Sequence, residues 1–310
     1  MKEERPEVSS LLLIDGETTN SNDWPERQRV MYEQADYLGW ANICFEAYKR
    51  AENLVLKIWL LLEFVNGYRR QPGIWSIERA TQWLDEAHHL IVKLGHHPQN
   101  KRLQSIWAYQ RGMVYHLSGE FYQAADCHHL AVEIASDHVE RTISEYMVAY
   151  ENLNDAIFNN DQISQRSKNY EIVARRLLKA FKGNDSQNQL RWYANVLCHR
   201  AVFAWLDHSV DKVPRFATKA LAFLKTHPQI PASAFADALV VMQAMQTGKL
   251  VETKRIWGDA DWLAAARLWN VYHLPQVDDW KPMLQQIIND KTLMGGRLFK
   301  NQAARQLAVE

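Results

Sequence analysis

The chain has 310 residues, 47% of them hydrophobic and 23% charged, an ordinary composition for a folded protein with room for a sizeable core. Its 36 basic residues balance 36 acidic ones, so the net charge is zero, which argues against a dedicated nucleic-acid binder. The 3 cysteines, Cys44, Cys127 and Cys198, lie far apart with no CxxC pair, an odd and sparse set that predicts buried free thiols in a reducing compartment.

Residues 1–24 are polar and acidic without periodicity and are expected to form a disordered arm. Its one apolar run, Leu11 to Ile14, is short for a signal peptide and is flanked by acids. Asp23-Trp24-Pro25-Glu26 reads as a helix start, and up to Val65 the pattern predicts one long helix or two nearly continuous ones. The most apolar stretch, Leu54 to Val65, is 12 residues long and contains Lys57 and Glu63, which marks a core helix rather than a membrane span. A cytoplasmic protein is expected. Asn66-Gly67 is read as a stop and Gln71-Pro72-Gly73 as a turn. A helix then runs from Ser76 to Leu94, ended by Gly95 and Pro98, followed by a hairpin over 101–118 and 120–136. Further helices are predicted near 139–159, 165–182, 187–207, 212–226, 232–247, 250–257, 260–273 and 279–293. Gly295-Gly296 should release a flexible tail over 295–310, leaving 25–294 as the folded helical domain. Strand signals are nearly absent, so the expected class is all-α.

The hairpin carries the strongest pattern. Gly112 and Tyr115 lie on its first helix, Ser118-Gly119 forms the turn, and Ala124 and Ala131 lie seven apart on its second. Small residues at such positions let helix backbones approach closely, and the large aromatic fills the groove beside them. Ala80 and Ala87 repeat the alanine pair, and AHHLIVKLGHHPQ at 87–99 is similar to ATKALAFLKTHPQ at 217–229. Both mark the end of a second helix.

Residues 106–135 therefore resemble a tetratricopeptide repeat. Gly112, Tyr115, Gly119, Phe121, Ala124 and Ala131 fall where that family places small and aromatic residues. Departures are Ala108, beside Trp107, in place of a tryptophan, His128 in place of an aromatic, and Ser136-Asp137 in place of a proline. Ala80 to Ala124 spans 44 residues, longer than the family period of about 34. The resemblance implies a right-handed superhelix (a solenoid) of stacked helical hairpins, a surface that holds another protein. In such arrays the first helices line the concave face and grip an extended peptide. By position that gives Tyr109, Gln110, Met113 and His116, and on later first helices Asn152 and Asn195, whose amides suit a peptide backbone.

Catalytic motifs are missing: the chain has no Walker loop, GxGxxG, GxSxG or HExxH. His88-His89, His96-His97 and Cys127-His128-His129 are adjacent clusters, and neighbours on a helix point about 100° apart, a poor geometry for one metal ion or a nucleophilic pair. His129 and Glu133 share a face, but nothing nearby completes a tetrahedral set. Asp259, Asp261, Asp278 and Asp279 are expected to cap helices. Trp59, Trp83, Trp107, Trp192, Trp205, Trp257, Trp262 and Trp269 lie in helical patterns and are read as core filling. No catalytic residue, metal site or cofactor is expected.

Charge is uneven. Residues 1–40 hold nine acids against four bases, whereas 161–225 hold twelve bases against five acids. Arg175, Arg176, Lys179 and Lys182 form the densest part of that basic region and read either as a solvated face or as a docking strip. The expected function is a non-catalytic interaction module, an adaptor or regulatory subunit that binds a protein segment. The alternatives are a nucleic-acid-associated helical repeat using the basic region and an enzyme whose site is assembled from residues distant in sequence.

Overall fold

A computed structural model of the chain describes residues 37–69, 76–184, 186–230, 235–254, 260–273, 280–290 and 297–309. Helix starts follow local chemistry. Asn53 caps one helix by accepting from the Leu56 N–H, Ser76 caps another by accepting from Arg79, and Asp137 accepts from both Val139 and Glu140. Pro214 occupies a first turn, where its missing N–H costs nothing. Gly119 and Gly248 end their helices in the left-handed conformation, with φ of +79° and +68°.

The described residues contain thirteen α-helices and no strand, so the class is all-α as expected. They are α1 (Tyr37–Arg50), α2 (Leu54–Tyr68), α3 (Ile77–Leu94), α4 (Asn100–Ser118), α5 (Phe121–Ile134), α6 (His138–Asn159), α7 (Ile163–Phe181), α8 (Gln187–Leu206), α9 (Val213–Thr226), α10 (Ala236–Thr247), α11 (Ala260–His273), α12 (Trp280–Asn289) and α13 (Arg297–Val309). A 3₁₀ turn, Val210–Lys212, precedes α9.

From α1 to α11 each helix packs on the next, a solenoid-like arrangement. The even-numbered helices also touch one another, α2 with α4, α6 with α8 and α8 with α10, and so form an inner row. The odd-numbered helices α1 to α9 form the outer row. Small residues mediate the stacking as the pattern predicts: Ala80, Ala87, Ala124, Ala131 and Ala217 are all fully buried. Trp107 on α4 donates its indole N–H to the Leu84 carbonyl of α3 at 2.8 Å, and Ser105 bonds the Ala131 carbonyl of α5 at 3.3 Å. One buried cluster joins α1 to α4, and a second runs from Phe121 through α6–α13, with Tyr109 packed against both.

The chain over 37–68 takes the second of its two expected forms, two helices, separated at Ala51–Asn53 because Asn53 caps a new helix there. Three local expectations change. Asn66-Gly67 does not stop α2, which runs on to Tyr68. Residues 250–254 are not helical. The expected flexible tail is a helix over 297–309: Phe299, Ala303 and Leu307, four apart, form an apolar stripe that joins the second core. The expected acidic arm, the helix start at Asp23, the turn at 71–73, Trp257 and Asp259 lie outside the described residues.

The closing helices reverse the direction of stacking. Helix α12 packs on α11, and α13 packs on both and returns to the middle of the inner row at α6.

Candidate functional site

The candidate residues of the first helices lie on the inner row, two of them buried and four half-buried. On α4, Gln110 and His116 are buried and Tyr109 and Met113 are half-buried. Gln110 accepts a hydrogen bond at 3.2 Å from Arg69, the residue that caps the end of α2. The Tyr109 ring sits 5.2 Å from His128 of α5 and 6.4 Å from Trp192 of α8. Asn152 on α6 is half-buried and turns its amide back onto the Val148 carbonyl of its own helix at 2.8 Å. Asn195 on α8 is half-buried.

His116 is the centre of the arrangement. Its Nδ1 lies 3.0 Å from the Glu151 carboxylate of α6, and its Nε2 lies 3.8 Å from Asp261 of α11. Glu151 is fully buried and also accepts from Asn154 at 3.3 Å, while its Oε1 has no hydrogen-bond partner. Burial alone would pull the imidazole down, but the Glu151 and Asp261 carboxylates outweigh it and hold His116 up at about 10. It is therefore a buried imidazolium with a carboxylate on each side.

Aromatic rings surround this ion pair. Tyr150 lies 5.6 Å from the His116 ring and 4.8 Å from His199 of α8. Tyr146 joins Tyr170 at 3.1 Å and His199 Nδ1 at 2.8 Å through its hydroxyl. Burial, with a smaller push from the charge on His116, pulls His199 down to about 3, so it is neutral. The two histidines thus differ in charge because only one faces carboxylates.

A third histidine explains a departure from the repeat pattern. His128 is fully buried, and its ring covers Gly112: a Cβ on that glycine would stand 2.7 Å from Cε1. Neither ring nitrogen has a hydrogen-bond partner, and burial, followed by the charges of His116 and Arg69, pulls it down to about 3.

The inner row is occupied by the chain's own last helices. Trp262 of α11 lies nearly parallel to His199 at 6.4 Å, and Trp269 meets Trp205 edge-on at 5.4 Å while donating to the Lys249 carbonyl at 2.9 Å. On α13, Gln302 and Arg305 donate to the Ile157 carbonyl at 3.2 and 2.9 Å, and Arg305 also reaches Phe158. These carbonyls lie in the last turn of α6, where Ile157 receives a long 3.4 Å bond from the capping Asn160 N–H, so a cation there also suits the helix dipole.

The basic residues are placed differently. Arg175, Arg176, Lys179 and Lys182 lie along the end of outer helix α7 and are all exposed. Arg175 pairs with Glu171 at 2.8 Å, and Glu171 also holds Arg200 of α8. The strip is thus an external face, separate from the inner row.

Among the described residues no group of three or more His, Cys, Asp or Glu side chains is arranged to hold a metal ion. The adjacent histidines diverge as the helix geometry requires. His88 stacks on Trp107 at 4.4 Å, and His129 forms an exposed pair with Glu133 at 3.5 Å. Cys44 and Cys198 are buried free thiols, and Cys127 is half-buried. No described helix is long and apolar enough to cross a membrane.

Sequence reasoning missed Glu151, Asp261, Tyr150 and His199. Glu151 carried a signal: it interrupts the buried stripe Ile143–Met147–Asn154 on α6, where a carboxylate needs a partner. Asp261 was indistinguishable from a capping acid, since only the return of α11 brings it to His116. Comparison with known proteins adds nothing to this geometry: no family model, curated protein or solved structure matches the chain.

Proposed function

We propose that this chain is a tetratricopeptide-like, non-catalytic scaffold that holds a segment of another protein, as an adaptor or a regulatory subunit. One observation carries the reading: the inner row accepts helices from far along the chain, α11 against His116 of α4 and α13 against the end of α6. Helices α11 and α13 seat there through ring contacts, an ion pair of the half-exposed Asp261 with the buried His116, and donors to helix-end carbonyls. Those are the interactions by which an inner face holds a helical or extended segment.

The electrostatics support the non-catalytic side of the proposal. Both nitrogens of His116 face carboxylates and the ring is held protonated, so it offers no lone pair to a substrate proton. His128 and His199 are pulled far below the range useful to a base at neutral pH. The exposed strip on α7 gives the scaffold a second, electrostatic contact for an acidic protein segment.

Site-specific photo-cross-linking tests this. A photoreactive residue is placed at Asn195 or at Lys179 of the full chain in its native host. The expected result is cross-linking to one contiguous protein segment from each position. Cross-linking to nucleic acid from Lys179, with oligonucleotide affinity that falls steeply as salt rises, would replace the proposal with the nucleic-acid alternative.

A further inference from the structure

The contact between α11 and the inner row divides sharply along the helix. Asp261, Trp262 and Leu263 in the first turn are half-exposed, while Ala264, Ala265, Ala266, Leu268 and Trp269 beyond them are buried. A first helical turn also has the fewest backbone hydrogen bonds to lose, because its N–H groups have no intrahelical acceptors. Opening that turn alone would uncover His116 and leave the buried packing of α11 in place. Such local opening sits at the low end of the free-energy range for a folded chain.

What opening uncovers has a defined chemistry. His116 keeps Glu151 on one side and presents Nε2, an N–H donor, on the other. Tyr150 and His199, 4.8 Å apart, form a ring surface directly beside it. The neutral state of His199 makes it an aromatic platform rather than a second cation. The resident turn fills this receptor with adjacent residues of matching kind, Asp261 on the imidazolium and Trp262 on His199. It does so incompletely. The ion-pair distance from His116 Nε2 to Asp261 is 3.8 Å. A charge-assisted contact of good geometry would be about 2.7–2.9 Å.

We propose that the His116–Tyr150–His199 surface is a docking site for the start of a partner helix bearing an acidic residue followed by an aromatic one, and that Asp261-Trp262 is its resident occupant. The partner's pair displaces the first turn of α11 and takes over its contacts. The site rests on the scaffold reading above, in that the inner row is the binding face, and gives that reading a sequence preference and an internal competitor.

The test uses the full chain and a short probe, the N-acetylated, C-amidated peptide of residues 260–267 (ADWLAAAR) with 5-fluorotryptophan at its single tryptophan. Binding is followed by fluorine NMR, which detects weak association. The Asp261→Asn/Trp262→Ala variant should bind the probe saturably and at least tenfold more tightly than the unmodified chain, where the resident turn competes. A probe with asparagine in place of its aspartate should lose at least tenfold in affinity for that same variant. Absence of saturable binding to a variant that keeps its helix content and cooperative melting overturns the proposal, as does equal binding of the two probes. Should the variant not fold, hydrogen exchange on the unmodified chain decides. Saturating probe must accelerate exchange at the amides of 261–263 while those of 265–270 stay protected, and unchanged exchange overturns displacement. Failure of the probe with cross-linking of a protein segment at Asn195 removes the acid–aromatic site alone. Probe binding with no cross-linked segment removes the scaffold reading alone.

Discussion

Gly112→Ala reverses its sign with the residue across from it. Gly112 lies inside α4, where alanine ordinarily stabilises a helix by about 1 kcal/mol over glycine. Here the new Cβ would stand 2.7 Å from Cε1, 2.8 Å from Nε2 and 2.9 Å from Nδ1 of His128. Favourable contact begins near about 3.5 Å, so the ring must retreat by most of an ångström. It is fully buried between α4 and α5 and cannot do so freely. Overpacking of this kind costs about 1–3 kcal/mol, so after the propensity gain the net effect runs from roughly neutral to a loss of about 2 kcal/mol. In a His128→Ala background the ring is gone, and the same substitution should stabilise by about 1 kcal/mol. The coupling between the two sites is then about 1–3 kcal/mol, the overpacking cost itself. Urea unfolding followed by circular dichroism measures it, with midpoints compared at constant slope. Effects of Gly112→Ala that agree within about 0.5 kcal/mol in the two backgrounds would refute the close approach of His128 to α4.

Four further outcomes are expected. His116 is raised in the fold from 6.5 to about 10, so its contribution to stability is complete below pH 6.5 and fades as pH rises towards 10. The unfolding midpoint of the chain should therefore fall across that window relative to His116→Gln, at up to about 1.4 kcal/mol per pH unit, and a constant difference would show that the ion pair with Glu151 is absent. Ala131→Trp, at a fully buried position beside Ser105, should destabilise by about 1–3 kcal/mol or more, whereas an unchanged melting temperature would mean that α4 and α5 do not stack as described. Reversing Arg175, Arg176, Lys179 and Lys182 to glutamate should change stability by no more than about 0.5 kcal/mol per site while abolishing capture of an acidic partner segment; substantial unfolding would show that the face is not free. A thiol reagent should modify Cys127 before the buried Cys44 and Cys198, yet more slowly than a free cysteine because burial pushes its thiol up, and mass spectrometry of digested protein reads the order.

The sequence by itself determined the local and nearest-neighbour levels of this protein. Helical class, the capping residues Ser76 and Asp137, and the stacking positions Ala80, Ala124 and Ala131 follow from propensity, side-chain chemistry and spacing within one or two helices. So does the exposure of Arg175 and Lys179, on the polar face of an amphipathic helix. The tertiary structure decided what the inner row touches. His116 read as a groove residue because its helix position was legible, and its partners were not: Asp261 lies 145 positions away and reaches it only because the last helices fold back. The same return turned the polar sequence after Gly295-Gly296 into a docked helix, with Phe299 and Ala303 buried. Periodicity states which face of a helix is buried, but not which distant face will cover it. That choice depends on the summed geometry of the stack, whose curvature decides where α11 and α13 can land.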